Sequence, residues 1–166
     1  MEKDNISVKN DRTDLIILAG STALVCLVVV ITHWKALSAK AVAFDDKQYL
    51  IYNERVKNPS FSNVVKFLSE VRNPTTVRGY YQPLSMISLM LDTAMGGGTD
   101  DLGVYHRTSL TLHVINTTLI IIILYLLFGN ALIAAGAGLL FGTHPMTVDP
   151  VAWTSERKTF VRKTFS

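Results

Sequence analysis

The chain has few of the residues on which most soluble catalysts are built. Its 166 residues contain one cysteine, so neither a disulfide framework nor a cysteine-based zinc cluster can form. That residue, Cys26, lies inside an apolar run and reads as a small packing side chain. Only 17% of residues are charged, against about 25% in an ordinary globular domain. The net charge of +3 comes with no basic run interleaved with aromatics, which gives no reason to invoke nucleic acid. There is no phosphate-cradling glycine loop, serine-nucleophile motif or standard metal-ligand spacing, and no 34-residue helical repeat.

What is present in excess is uncharged apolar sequence, reflected in a mean hydropathy of +0.29. The run Leu15 to Trp34 has no charge and, at 1.5 Å per residue, covers about 30 Å, the thickness of a bilayer core. A second run ends at Phe128, and a third, weaker one extends from Ala131 to Met146. These features predict an all-α integral membrane protein with two transmembrane helices and a third, weaker candidate. The expected order is a polar tail (1–14), a first transmembrane helix (15–34), a long extracytoplasmic loop (35–104), a second helix (105–128), a third apolar helix (131–146) and a polar basic tail (147–166). The first run exceeds the apolar core of a signal peptide and Ser38-Ala39-Lys40 is a poor cleavage site, so an uncleaved anchor is expected.

The loop is too long to be a plain connector. Phe61, Val64, Val65, Leu68 and Val71 recur at helical spacing, which predicts an amphipathic helix lying on the membrane or on other helices. A second short helix is expected from Pro83, a residue suited to a first turn, to Gly96-Gly97-Gly98. It would carry Ser85, Ser88 and Asp92 on one face and is too short to span. Gly129-Asn130 reads as a tight turn into a helix where Ala134, Gly138 and Gly142 form a small-residue face for close packing. Pro145 should end that helix. Three spans would leave Arg157, Lys158, Arg162 and Lys163 outside the cell membrane, against the positive-inside tendency.

Several residues could carry chemistry. Asp45-Asp46 follows the first helix by about ten residues. A membrane-surface carboxylate can act as a general base, the more so where partial burial lifts its pKa. Read alone, the pair is most simply a hydrated loop, as Asp100-Asp101 is a turn. His144, Asp149 and Glu156 could be drawn as metal ligands, but their spacing matches no standard pattern, and a hydrated helix end is the simpler reading. Arg157-Lys158 suits a lipid phosphate or plain interfacial anchoring. His33, His106 and His113 read as structural, with His113 hydrogen-bonding inside the bundle. Asn116-Thr117-Thr118 is a glycosylation sequon buried in a helix.

The order of motifs narrows these options. Phe44-Asp45-Asp46 with Tyr52-Asn53, Tyr80-Tyr81-Gln82-Pro83-Leu84, Tyr105-His106 with His113 and Asn116, and His144-Pro145 through Glu156-Arg157-Lys158 follow one another. From about residue 13 to 158 this series resembles the amino-terminal part of the GT-C glycosyltransferases that carry tetratricopeptide repeats, relatives of the protein O-mannosyltransferases. The resemblance implies Asp45 as catalytic base with Asp46 beside it. It implies Tyr81, Gln82, His144 and Glu156 as residues that shape the site, and Arg157 or Lys158 at the lipid phosphate. It implies a donor sugar, mannose first, on a polyprenyl or dolichyl phosphate, a protein hydroxyl as acceptor, no defined metal, and residence in a bacterial inner membrane or the endoplasmic reticulum. Gln82 stands where many relatives have arginine, Arg107 where the pattern is apolar, and Asp149 where glutamate is usual. Relatives continue beyond Lys158 into further spans and repeats, so a truncated chain is expected, incomplete as an enzyme by itself. The alternative expectation is a non-catalytic membrane fragment, or a subunit that pairs through the Ala134/Gly138/Gly142 face.

Overall fold

The computed structural model describes residues 11–39, 49–50, 52–70, 81–98 and 101–152. Seven α-helices occur among them: α1 (Asp11–His33), α2 (Glu54–Lys57), α3 (Phe61–Ser69), α4 (Pro83–Ala94), α5 (Gly103–Phe128), α6 (Ala131–Thr143) and α7 (Val148–Ala152). Short 3-10 turns cover Trp34–Ser38 and Pro145–Thr147. No strand occurs among the described residues.

Helices α1 and α5 are long and apolar enough to cross a membrane. Only 11% and 28% of their most apolar windows are buried inside the protein, so neither is the enclosed core helix of a water-soluble fold. Helix α1 begins four residues before the apolar run, at Asp11. Helix α5 ends at Gly129, whose φ of +65° reverses the chain. Asn130 then caps α6 by accepting from the amides of Leu132 and Ile133, each at 3.1 Å. Helix α6 has 13 residues and rises only about 20 Å. A third span over 131–146 is therefore not established by length, since extended His144 and Pro145 stop the helix early.

The three apolar helices pack through small residues. Ala134 is fully buried. A Cβ on Gly138 would collide with the Ile121 side chain, and one on Gly142 would lie 2.5 Å from Val29 and 3.1 Å from Thr117. Without side chains at these two points, α6 settles between α1 and α5 at near-backbone distance. The small-residue face is thus filled by helices of its own chain, which corrects the expectation of a face free for a partner subunit. His113 Nε2 lies 2.9 Å from the Gly142 carbonyl across the same seam. Helix α1 supplies Val25 and Val29 to this core, and its buried His33 stacks edge-on to His113.

The loop builds a second core from larger side chains. Tyr49, Leu50, Val56, Phe67, Met86, Leu89, Met90, Leu102 and Tyr105 form one buried cluster. Asn53 caps α2 and Ser60 caps α3. Asn63 ties the two helices by donating to the Asn58 carbonyl at 2.9 Å, and Arg55 pairs with Glu70.

Both expected loop helices form, and the outward face of each carries large apolar side chains. Phe61 is 82% exposed, with Val65 and Leu68 also outward, while Phe67 and Asn63 are buried. Val71 lies outside the described residues. In α4 the polar residues turn in: Ser85 and Asp92 are buried, whereas Leu84, Leu91 and Met95 are exposed. The inward face is dictated by α5, where Thr108 donates to the Asp92 carboxylate at 2.7 Å and Tyr105 meets Thr93 at 2.9 Å. Gly97 is needed beside them, since a Cβ there would lie 2.8 Å from the Tyr105 ring.

Candidate functional site

The site is best built outward from the first turn of α5. Leu102 and Tyr105 belong to the loop core, so the helix start is anchored and the next residue, His106, is held on the opposite side. Its ring is wholly buried. Nδ1 lies 3.1 Å from the carbonyl of Val151 in α7, and Nε2 lies 3.0 Å from the carbonyl of Ala39. Each ring nitrogen therefore faces a backbone oxygen from a different segment, with donor and acceptor roles following the tautomer.

These two carbonyls belong to informative stretches. Ala39 precedes Asp45 by six residues and Val151 precedes Glu156 by five. One imidazole thus ties the chain entering the acid-pair segment to the chain entering the Glu-Arg-Lys segment. Leu110 and Val151 make a small apolar cluster next to it, with Ala36 and Leu37 packed on its edge.

The far side of the acid-pair segment is tied as well. Tyr49, buried in the loop core, donates its hydroxyl to Gln82 Oε1 at 3.3 Å. Gln82 is half-buried at the start of α4. Tyr81 beside it donates to the Leu68 carbonyl at 2.9 Å, closing the end of α3 onto the start of α4, while its ring remains 42% exposed.

Of the sequence-predicted site residues, Gln82 meets Tyr49, three residues after Asp46 in the sequence, and Tyr81 is bonded to the end of α3. His144 has another task. It is exposed, and its Nδ1 accepts from the Met146 amide at 3.2 Å, capping the 3-10 turn after Pro145. Among the described residues no hydrogen bond or ion pair links it to Tyr81 or Gln82. Asp45, Asp46, Glu156, Arg157 and Lys158 lie outside the described residues. Asp149 is exposed on α7, and among the described residues no three His, Cys, Asp or Glu side chains gather as a metal site.

Reading the sequence left out the bridging role of His106. Its partners are backbone carbonyls 45 and 67 residues away in the chain, and a carbonyl leaves no mark in residue type. The buried Asp92 was visible as part of a polar face, and its burial follows from the Thr108 hydroxyl that receives it.

Comparison with known proteins adds one finding of weight. The chain is 27% identical over 132 residues to protein O-mannosyl-transferase Tmtc2 of Drosophila melanogaster, a match that covers 76% of this chain and 14% of that protein. The chain therefore spans a small part of the relative's length. No protein-family profile matches the chain, and no solved structure does either.

Proposed function

We propose that this chain is an integral membrane protein with a glycosyltransferase role, equivalent to the front portion of a GT-C enzyme that moves a sugar from a polyprenyl phosphate to a protein hydroxyl. The observation that carries the reading is the His106 bridge. Ala39 and Val151, six and five residues before Asp45 and Glu156 in the sequence, both turn their carbonyls to one buried ring. The likeness to an O-mannosyl-transferase points the same way.

In this reading Asp45 accepts the proton of the acceptor hydroxyl while its oxygen attacks the anomeric carbon from the side opposite the leaving group. The bond from that carbon to the phosphate oxygen breaks, and the electron pair leaves with the lipid phosphate. Arg157 and Lys158 offset the charge that develops there. Asp46 orients the base, and Tyr81 and Gln82 border the acceptor. His144 acts on the site through the turn it caps. Outward-facing Leu24, Leu27, Leu132 and Leu140 suit lipid.

The test is transfer from a labelled polyprenyl-phosphate sugar in membranes that contain the full chain, with and without Asp45→Asn. Transfer that falls by at least about a hundredfold in the variant supports the assignment, in line with removal of a general base. No transfer from either chain, both being stably inserted, would overturn a catalytic role for this chain.

A further inference from the structure

A groove on the outside of the bundle has no role in the chemistry above. It is about 310 Å³ in volume and open along one side, and it runs between the end of α1 and the first half of α5. Val30 and Leu37 form one wall; Leu110, Val114 and Ile115 form the other. From Arg107 to Ile115 the helix rises about 12 Å, so the groove has the length of a chain segment lying along the helix. Its two polar residues are Arg107 and Thr111. Thr111 turns its hydroxyl back to the Arg107 carbonyl at 2.9 Å, which leaves the walls dry. Arg107 is exposed, and among the described residues it has no acidic partner.

The position of the arginine is decisive. It lies one turn into α5, at the end where exposed Trp34 and Lys35 follow α1. Trp and Lys are residues that settle at headgroup level. The groove therefore begins with a cation at the interface and continues as an aliphatic trough towards the bundle centre. A lipid without a phosphate gains nothing from the cation, a zwitterionic headgroup brings a cation of its own against Arg107, and a soluble phosphate gains nothing from the trough. A ligand with both an anionic phosphodiester head and a flexible chain fits the whole feature.

We propose that this groove holds an anionic glycerophospholipid, its phosphate on Arg107 and one acyl chain along Val30, Leu110, Val114 and Ile115. The inference rests on the membrane reading of α1 and α5, and it is independent of the sugar-transfer reading. A lipid seated there would cover the seam between α1 and α5 beside the His106 bridge.

The full chain is reconstituted in nanodiscs with equal amounts of phosphatidylglycerol and phosphatidylcholine carrying the same acyl chains. Lipid retained after transfer to detergent is then weighed by native mass spectrometry. The expected result is one retained phosphatidylglycerol, with Arg107→Gln lowering the preference about fivefold and Arg107→Lys keeping most of it. Thr111→Trp, at an exposed position, should expel the retained lipid altogether. Equal retention of both lipids, an unchanged preference in Arg107→Gln, or retention in Thr111→Trp would overturn the proposal. So would displacement of phosphatidylglycerol by an equal amount of polyprenyl phosphate, which would assign the trough to a donor lipid. A chain that fails to enter the nanodisc would refute the membrane reading as well, whereas insertion without preference refutes only the lipid site.

Discussion

The α1/α5/α6 bundle and the α2–α4 loop module solve the same packing problem with opposite materials. The loop module buries large side chains, including Phe67, Leu89, Met86 and Tyr105, and closes its short helices with side-chain caps at Asn53 and Ser60. The bundle buries Val25, Val29, Ile121, Ala134 and Ala135, leaves glycine at two contact points, and places polar side chains such as His113, Asn116 and Thr117 inside. Burial of large apolar groups is favourable where the alternative is water. Where the alternative is hydrocarbon, that gain vanishes, and close backbone approach with interhelical hydrogen bonds takes over. The contrast fits the proposal that one chain meets two solvents. Helix α4 lies at the junction, turning Asp92 towards α5 and Leu91 outward.

The largest effect should come from the loop module's core. Phe67→Ala should cost about 3–5 kcal/mol of stability in denaturant unfolding of the detergent-solubilised chain. Phe61→Ala in the same helix, at an exposed position, should change it by less than about 0.5 kcal/mol. Equal losses would mean that the outward stripe of α3 is a core face after all.

Bundle variants should respond to size rather than to lost apolar area. Gly138→Leu must displace Ile121 and should destabilise the bundle by about 1–3 kcal/mol. Gly136→Leu, two residues away with nothing close to its Cβ position, should be neutral or slightly stabilising. Titration of the folded chain with a denaturing detergent, followed by circular dichroism, separates the two. His113→Leu, which removes the contact with the Gly142 carbonyl, should cost on the order of 1 kcal/mol in the same titration. A smaller change is expected for Cys26→Ser, about 0.5 kcal/mol or less, because a hydroxyl can keep the 3.4 Å contact with Thr118.

Much of the helical framework was legible before the structure. Apolar length marks α1 and α5, Gly129-Asn130 marks the reversal, Pro83 opens α4 and Pro145 halts the helix before it. Each of these acts through its own backbone, so neighbours are not needed to read it. The inward faces of α3 and α4 were less readable. Periodicity shows that Phe61, Val65 and Leu68 share a stripe, but not whether protein or lipid covers that stripe. At the site, Tyr81 and Gln82 were named only through the resemblance, and the bridge through His106 could not be read at all, because both partners are main-chain oxygens. His144 read on its own residues as a hydrated helix end, and its exposed ring caps the turn there.

The claim that two solvents shape the chain can be tested by labelling. In a Cys26→Ser background, single cysteines are placed at Ser60 on the loop module and at Leu24 and Leu140 on the outer face of the bundle, all exposed in the structure. Sealed vesicles are treated with a membrane-impermeant maleimide, with and without permeabilisation. Ser60→Cys should react rapidly from one side, while Leu24→Cys and Leu140→Cys should remain unlabelled until detergent removes the bilayer. Labelling of Leu24→Cys and Leu140→Cys in intact vesicles at the rate of Ser60→Cys would contradict the account, because it would put water where the proposal puts lipid.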